Sequence, residues 1–208
     1  MPSAGNETMI PVFASNEEYF QEKFKDINFE NQELLNTEFT DCEFVNCNFQ
    51  ETVFRACTFR ECTFRNCNLS LINVQGSSFF EVIFRDSQIV GVNWTLAAWG
   101  KSKLLKPFDF INCKINYSTF IGLKICKVKI VKCSALDVDF SEADLSEADC
   151  RGTVFEKSRF AHTNLINADF RNSRDYSINA NENAIAGAKF SLPEAISLLY
   201  SLDIEIEE

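Results

Sequence analysis

Nine cysteines are the first candidates for chemistry in this chain of 208 residues. Thiolates hold zinc or act as nucleophiles, and both roles need partners at set spacings. Cys42, Cys47, Cys57, Cys62 and Cys67 recur at multiples of five residues, and none forms a CxxC pair. A single histidine, His162, leaves almost no material for a mixed Cys/His zinc site or a Ser-His-Asp relay. There is no phosphate loop and no dinucleotide fingerprint. The expectation is a protein that is not an enzyme, with no catalytic group, no metal and no cofactor. Cys126 falls at an outward position and is the thiol most open to reagents.

Carboxylates are the second group. Asp137, Asp139, Glu142, Asp144, Glu147 and Asp149 fall within 13 residues that contain no base. Nothing in the pattern supplies the apolar cleft that would raise a carboxyl pKa for acid–base work. Such a row either keeps a surface soluble or imitates a phosphate backbone. The formal charge of −10 is unevenly spread. Residues 1–100 carry 14 acids and 6 bases, residues 101–132 carry 8 lysines and only Asp109, and residues 133–208 carry 15 acids and 6 bases. The lysine belt from Lys101 to Lys132 reads as a solvated face or as a contact for an acidic patch on a partner. Net charge disfavours direct binding of nucleic acid.

The element that positions these groups is a five-residue repeat. Apolar side chains recur at Phe24, Phe29, Leu34, Phe39, Phe44, Phe49, Phe54, Phe59 and Phe64, and the series continues to Trp94. It resumes one residue out of step at Phe110 and runs to Phe170. Period five is neither helical nor that of a simple strand. A second series of mostly small residues, Thr37, Cys42, Cys47, Thr52, Cys57, Cys62 and Cys67, precedes each apolar centre by two. One large and one small side chain therefore point inward per pentapeptide. Such units bury their apolar residue only when stacked, so the expected fold class is an all-β solenoid. Four pentapeptides make a square coil, and roughly eight coils at about 4.8 Å give a rod on the order of 40 Å long. B-DNA over that length carries roughly 23 charges, more than twice the net charge here, so any imitation of DNA must be local. The six acids should spread over adjacent faces on a few neighbouring levels. Cys42 and Cys62 should sit one above the other with parallel Cβ vectors, as buried thiols rather than a disulfide.

Stretches such as Phe39-Thr-Asp-Cys-Glu-Phe44, Phe54-Arg-Ala-Cys-Thr-Phe59 and Phe140-Ser-Glu-Ala-Asp-Leu145 resemble the A(D/N)LXX pattern of pentapeptide-repeat proteins. The segment from Cys67 to Trp94 is similar to the antibiotic-resistance branch of that family. The ending Phe190-Ser-Leu-Pro-Glu-Ala, with Ser-Leu-Asp-Ile-Glu after it, looks most like the albicidin-resistance type, and the Qnr and microcin B17 immunity types are more distant. The resemblance covers roughly residues 29 to 208. It implies a right-handed quadrilateral β-helix with a short C-terminal helix. It further implies a DNA mimic that binds DNA gyrase, a type II topoisomerase, and protects it from a poison such as albicidin or a quinolone. The acidic segment Asp137 to Asp149 would face the enzyme. The alternatives are a pentapeptide-repeat scaffold with an unrelated protein partner and a thiol-based redox or metal protein.

The expected organisation is a tail or cap at 1–18, a β-helix at 19–190 with its register shift near 105–109, and a dimerisation helix and strand at 191–208. Ser15 with Glu18, and Ser191 with Glu194, read as capping boxes. The shift reads as one extra residue near Lys106-Pro107, with Trp99 and Leu104 in the old register. Towards the end Asp175 and Ala180 fall at central positions and leave the series ragged. Leu192, Ile196, Leu198, Leu199, Leu202 and Ile204 form an apolar end suited to an isologous homodimer, which the resemblance also implies. Apolar runs stay far short of 18 residues, and Met1–Ile10 lacks the basic and apolar regions of a signal peptide, so no membrane contact and a cytoplasmic location are expected.

Overall fold

A computed structural model describes residues 13–99, 106–202 and 204. The regular coil takes twenty residues. Glu18–Phe20 pairs in parallel with Glu38–Thr40, then Thr58–Arg60, then Ser78–Phe80, with Tyr19, Phe39, Phe59 and Phe79 in register. One unbroken column of bridges runs through Asn28, Asn48, Asn68, Gln88, Lys114, Ser134, Val154 and Arg174, which counts eight coils. The expected quadrilateral β-solenoid with a short C-terminal helix is the fold observed. The helix, Glu194–Leu202, is of the 3-10 type.

Three positions in each pentapeptide explain why the chain coils. The apolar centre is buried, and centres of successive coils stack ring on ring. Phe24, Phe44, Phe64, Phe84 and Phe110 follow one another at centroid distances of 5.2, 4.4, 5.2 and 5.3 Å, all close to parallel. Burying each such ring contributes about 1.5–3 kcal/mol, and each ring pair about 0.5–1.5 kcal/mol more. The small residue two places earlier donates its hydroxyl or thiol to a carbonyl of the previous coil. Thr52 Oγ1 reaches Phe29 O at 2.6 Å, Cys62 Sγ reaches Phe39 O at 3.3 Å and Ser173 Oγ reaches Cys150 O at 2.6 Å. The residue two places after the centre turns the corner in the left-handed region, as at Asn46 (φ 56°), Glu61 (φ 55°) and Gly152 (φ 71°). That conformation costs an L-residue roughly 1–2 kcal/mol. It is offset by an N–H bond to the next coil, such as Asn46 N to Arg65 O at 3.0 Å.

Five expectations need correction. Ser15 and Glu18 build no helix cap: Ser15 Oγ accepts from Leu35 N and Glu18 opens the first strand. The end is covered instead by Phe13, whose ring lies 4.9 to 6.2 Å from those of Tyr19, Phe24, Phe29, Phe39, Phe44 and Phe49. The register shift is larger than one residue. Phe84 pairs with Phe110, twenty-six positions on, where the coils before it use twenty. Six extra residues enter between Ala98 and Lys106, and a shift of six displaces a five-residue period by one. Leu104 lies outside the described residues, whereas Trp99 packs on the core and donates Nε1–H to Trp94 O at 2.9 Å. Asp109 pins the re-entry, taking Lys106 Nζ at 2.6 Å and Lys129 N at 2.7 Å.

At the C-terminal end the ragged coil is mended from other positions. Tyr176 and Ile178 are buried, and Phe160 bridges to Ile178, so the core is filled by them and not by Asp175 or Ala180. Ser191 caps no helix through its side chain, because its Oγ accepts from Asn172 N of the previous coil. The proposed strand over Leu202, Ile204 and Ile206 does not form at its described part: Leu202 ends the helix and Ile204 has no regular structure. Ile206 lies outside the described residues.

Candidate functional site

The core is filled with buried apolar side chains, so the groups that can meet a partner stand on the outward lattice. Among the described residues, no group of three or more His, Cys, Asp or Glu is placed to hold a metal ion. Eight of the cysteines are buried and Cys126 is exposed. His162 stands at an exposed corner with φ 55°.

The six predicted acids come together on one coil, not on several. Thirteen residues are fewer than the twenty of a full coil, so the row wraps around the rod at one level. Their roles then divide by position. Asp139, Asp144 and Asp149 sit immediately before buried centres and are half-buried. Each accepts the N–H two residues on: Ser141 N at 2.9 Å, Ser146 N at 3.0 Å and Arg151 N at 3.3 Å. Asp139 also pairs with Arg159 at 3.0 Å, and Asp144 accepts from Asn164 Nδ2 at 2.9 Å. Asp149 is gripped by Arg151 through Nε and Nη2, both at 2.8 Å. That fork holds the Asp149 carboxyl below its usual range, as Arg171 does for Asp169 one coil on. Asp137, Glu142 and Glu147 occupy exposed corners.

Three lysines of the belt, Lys124, Lys127 and Lys129, lie directly beneath the acidic row. Lys124 bridges to Asp144, Lys129 bridges to Asp149, and Lys127 Nζ stands 3.6 Å from Glu147. Opposite charges at the coil spacing of about 4.8 Å partly cancel as seen from outside. Among the described residues Asp137, Glu142 and Asp144 have no ion pair within 4.0 Å. The net negative face of this coil is therefore smaller than its composition implies. Beside it a groove of about 490 Å³ runs between Glu147, Asp149, Asn167, Asp169 and Lys189, again with mixed charge.

At the C-terminal end, Leu192 (78 % exposed), Ile196, Leu199, Leu202 and Ile204 face outward, with Tyr200 beside them. Leu198 alone of the predicted set packs back on the core and fastens the helix to the last coil. The sequence reading missed four exposed apolar residues at mid-rod: Leu71, Leu96, Tyr117 and Ile121. They stand outside the five-residue series, and that departure was the available signal. Leu71 folds over Gly91, where an added Cβ would come 2.7 Å from Leu71 Cδ2.

Two family models match the chain. One, described as a pentapeptide repeat region, matches residues 37–120, and one for pentapeptide repeats (8 copies) matches residues 137–174. Together they cover more than half of the sequence. No curated protein matches it. Among solved structures, full-length QnrB1, a plasmid-mediated fluoroquinolone resistance protein, superposes with a TM-score of 0.69 at 16 % identity, over 90 % of this chain and 100 % of that one. Two trypsin-treated QnrB1 variants give 0.69 at 17 % identity, over 91 % and 100 %, and 0.60 at 20 % identity, over 93 % and 93 %. At these identities the likeness is one of fold.

Proposed function

We propose that this chain, which belongs to the pentapeptide-repeat proteins, is a non-catalytic docking protein that binds DNA gyrase in place of DNA and protects it from an antibiotic. The reading is carried by the end-to-end likeness of its coil stack to that of QnrB1, a fluoroquinolone resistance protein. A fluoroquinolone is accordingly the first drug to test, and albicidin, which the ending of the sequence favours, is the second. The rod would lie in the basic saddle that holds the DNA segment to be cleaved. Asp137, Glu142 and Asp144 would supply the charge that lysines and arginines of that saddle meet. No described helix is long and apolar enough to cross a membrane, and a gyrase partner would put the protein in the cytoplasm.

A homodimer completes the reading. Ile196, Leu199 and Leu202 would pair with their copies across a two-fold axis that matches the symmetry of the enzyme. Ile196→Glu with Leu199→Glu would then give a monomer by sedimentation equilibrium, and an unchanged dimer would remove these residues from the interface. A second reading, a scaffold for an unrelated protein, is favoured by the lysines that offset the acidic coil.

The deciding experiment is gyrase supercoiling with graded protein, with and without fluoroquinolone or albicidin. Rescue at low protein supports protection. Inhibition alone leaves DNA mimicry but ends the resistance role. No effect with either drug at any concentration leaves the scaffold reading.

A further inference from the structure

The left-handed corners of the rod are occupied almost throughout by small, polar or charged residues. Leu71 (φ 60°) and Tyr117 (φ 59°) are the large apolar exceptions among the described corners. Both face solvent, at 54 % and 58 % exposure. Each therefore combines two unfavourable features: a conformation that short polar side chains adopt more readily, and apolar surface left in water. The packing does not require them, since Asn31, Glu51, Asp137 and Lys157 hold the same column of corners.

The two exceptions stand together. Leu71 N–H donates to Val90 O and Gly91 N–H to Asn116 O, so Leu71, Gly91 and Tyr117 succeed one another along one edge of the rod. Leu71 leans across Gly91, where a Cβ would come 2.7 Å from Leu71 Cδ2. The face that starts at this edge is formed by 71–76, 91–96 and 117–122, and these stretches hold no charged residue although 24 % of the chain is charged. Its far edge is apolar again at Leu96 and Ile121 and bare of side chains at Gly76 and Gly122. Acids close the column at both ends, Glu51 one coil before Leu71 and Asp137 one coil after Tyr117, and neither has an ion-pair partner among the described residues.

We propose that this face docks one amphipathic helix of a partner protein, with its apolar stripe on Leu71 and Tyr117 and a basic residue near each end, opposite Glu51 and Asp137. This docking is independent of the gyrase reading and of the C-terminal dimer. The backbone of these coils is already bonded from coil to coil, so no free edge receives an added strand. A helical turn of about 5.4 Å lies close to the coil spacing of about 4.8 Å, so successive turns meet successive coils. Glu51 and Asp137 are four coils apart, about 19 Å, which a helix spans in about 13 residues. Two copies packed through this face would set acid on acid, Glu51 on Asp137 when antiparallel and Asp137 on Glu142 when parallel. Three coils also outline only roughly 240 Å², against about 800 Å² per partner in a stable dimer.

The test uses a fluorescent helix-forming peptide of about 16 residues, with leucine at every third or fourth position and lysine at both ends, titrated with the full chain and read by anisotropy. The parent should bind it, and the same peptide with glutamate at both ends should bind about tenfold more weakly or worse. Leu71→Asn with Tyr117→Asn keeps the charge and should weaken binding by about tenfold or more, with a melting temperature equal to or above that of the parent. Ile196→Glu with Leu199→Glu should bind as the parent does. Should the asparagine variant fail to fold, a photoreactive residue in the peptide's stripe decides on the parent, with crosslinks expected within 71–76, 91–96 or 117–122. No binding by the parent, undiminished binding by the folded asparagine variant, or crosslinks confined to other faces would overturn the proposal. So would self-association of the parent that the asparagine variant abolishes and Ile196→Glu with Leu199→Glu does not, which would give the face to a second copy.

Discussion

Removing the lysines beneath the acidic coil should strengthen gyrase binding, if that coil meets a basic surface. The perturbation is Lys124→Gln, Lys127→Gln and Lys129→Gln together, which leaves Asp144, Glu147 and Asp149 without their neighbours one coil below. Two unit charges about 4.8 Å apart interact by about 0.9 kcal/mol in water. A Debye length of about 8 Å at physiological salt reduces this to about 0.5 kcal/mol for each lysine. Three lysines then amount to about 1.5 kcal/mol, or about tenfold in affinity. The opposite change, Asp137→Asn with Glu142→Gln and Asp144→Asn, should cost a similar factor. Displacement of labelled DNA from gyrase reads both, and the gap between the variants should narrow as salt rises. If the lysine variant binds equally or more weakly while both proteins keep their fold, attraction by this coil is refuted.

Three other outcomes follow from the packing. Phe64→Ala deletes a ring stacked 4.4 Å from Phe44 and 5.2 Å from Phe84 and should cost about 3–5 kcal/mol in urea unfolding, whereas Phe20→Ala, 63 % exposed, should change stability by less than about 0.5 kcal/mol. Asn46→Val puts a β-branched residue at φ 56° and also removes the bond from Asn46 Nδ2 to Asp26, so it should lower the melting temperature, while Asn46→Gly should lower it less. Asp149 and Asp169 have depressed pKa values, so their contribution to stability is complete above about pH 4 and is lost as pH falls through the lower folded values. Arg151→Ala with Arg171→Ala should therefore flatten the fall of the urea midpoint below about pH 4, and an unaltered slope would show that these forks carry no linkage.

Much of this architecture was legible because a stacked coil repeats its requirements every five residues. Phe39, Phe44 and Phe59 announce the inward face, and the Thr, Ser and Cys ladder announces the corner that must be small. A third signal stood in plain view and went unread: Asp26, Asn31, Asn36, Asp41 and Asn46 occupy the left-handed corners, where short polar side chains are enriched. The ragged end was misjudged because Asp175 holds the nominal centre, while the chain shortens its path so that Tyr176 and Ile178 fill the core. The insertion was undercounted because one extra residue and six leave the same phase.

The sequence by itself determined which side chains point inward, that coils stack, and where charge is concentrated along the chain. These follow from local period, since each pentapeptide meets the same environment. Only the tertiary structure decided what that charge amounts to. Asp144 and Lys124 are twenty positions apart and adjacent in space, as are Asp149 and Lys129. Electrostatic potential depends on distance through space, which the coil length sets, and not on distance along the chain.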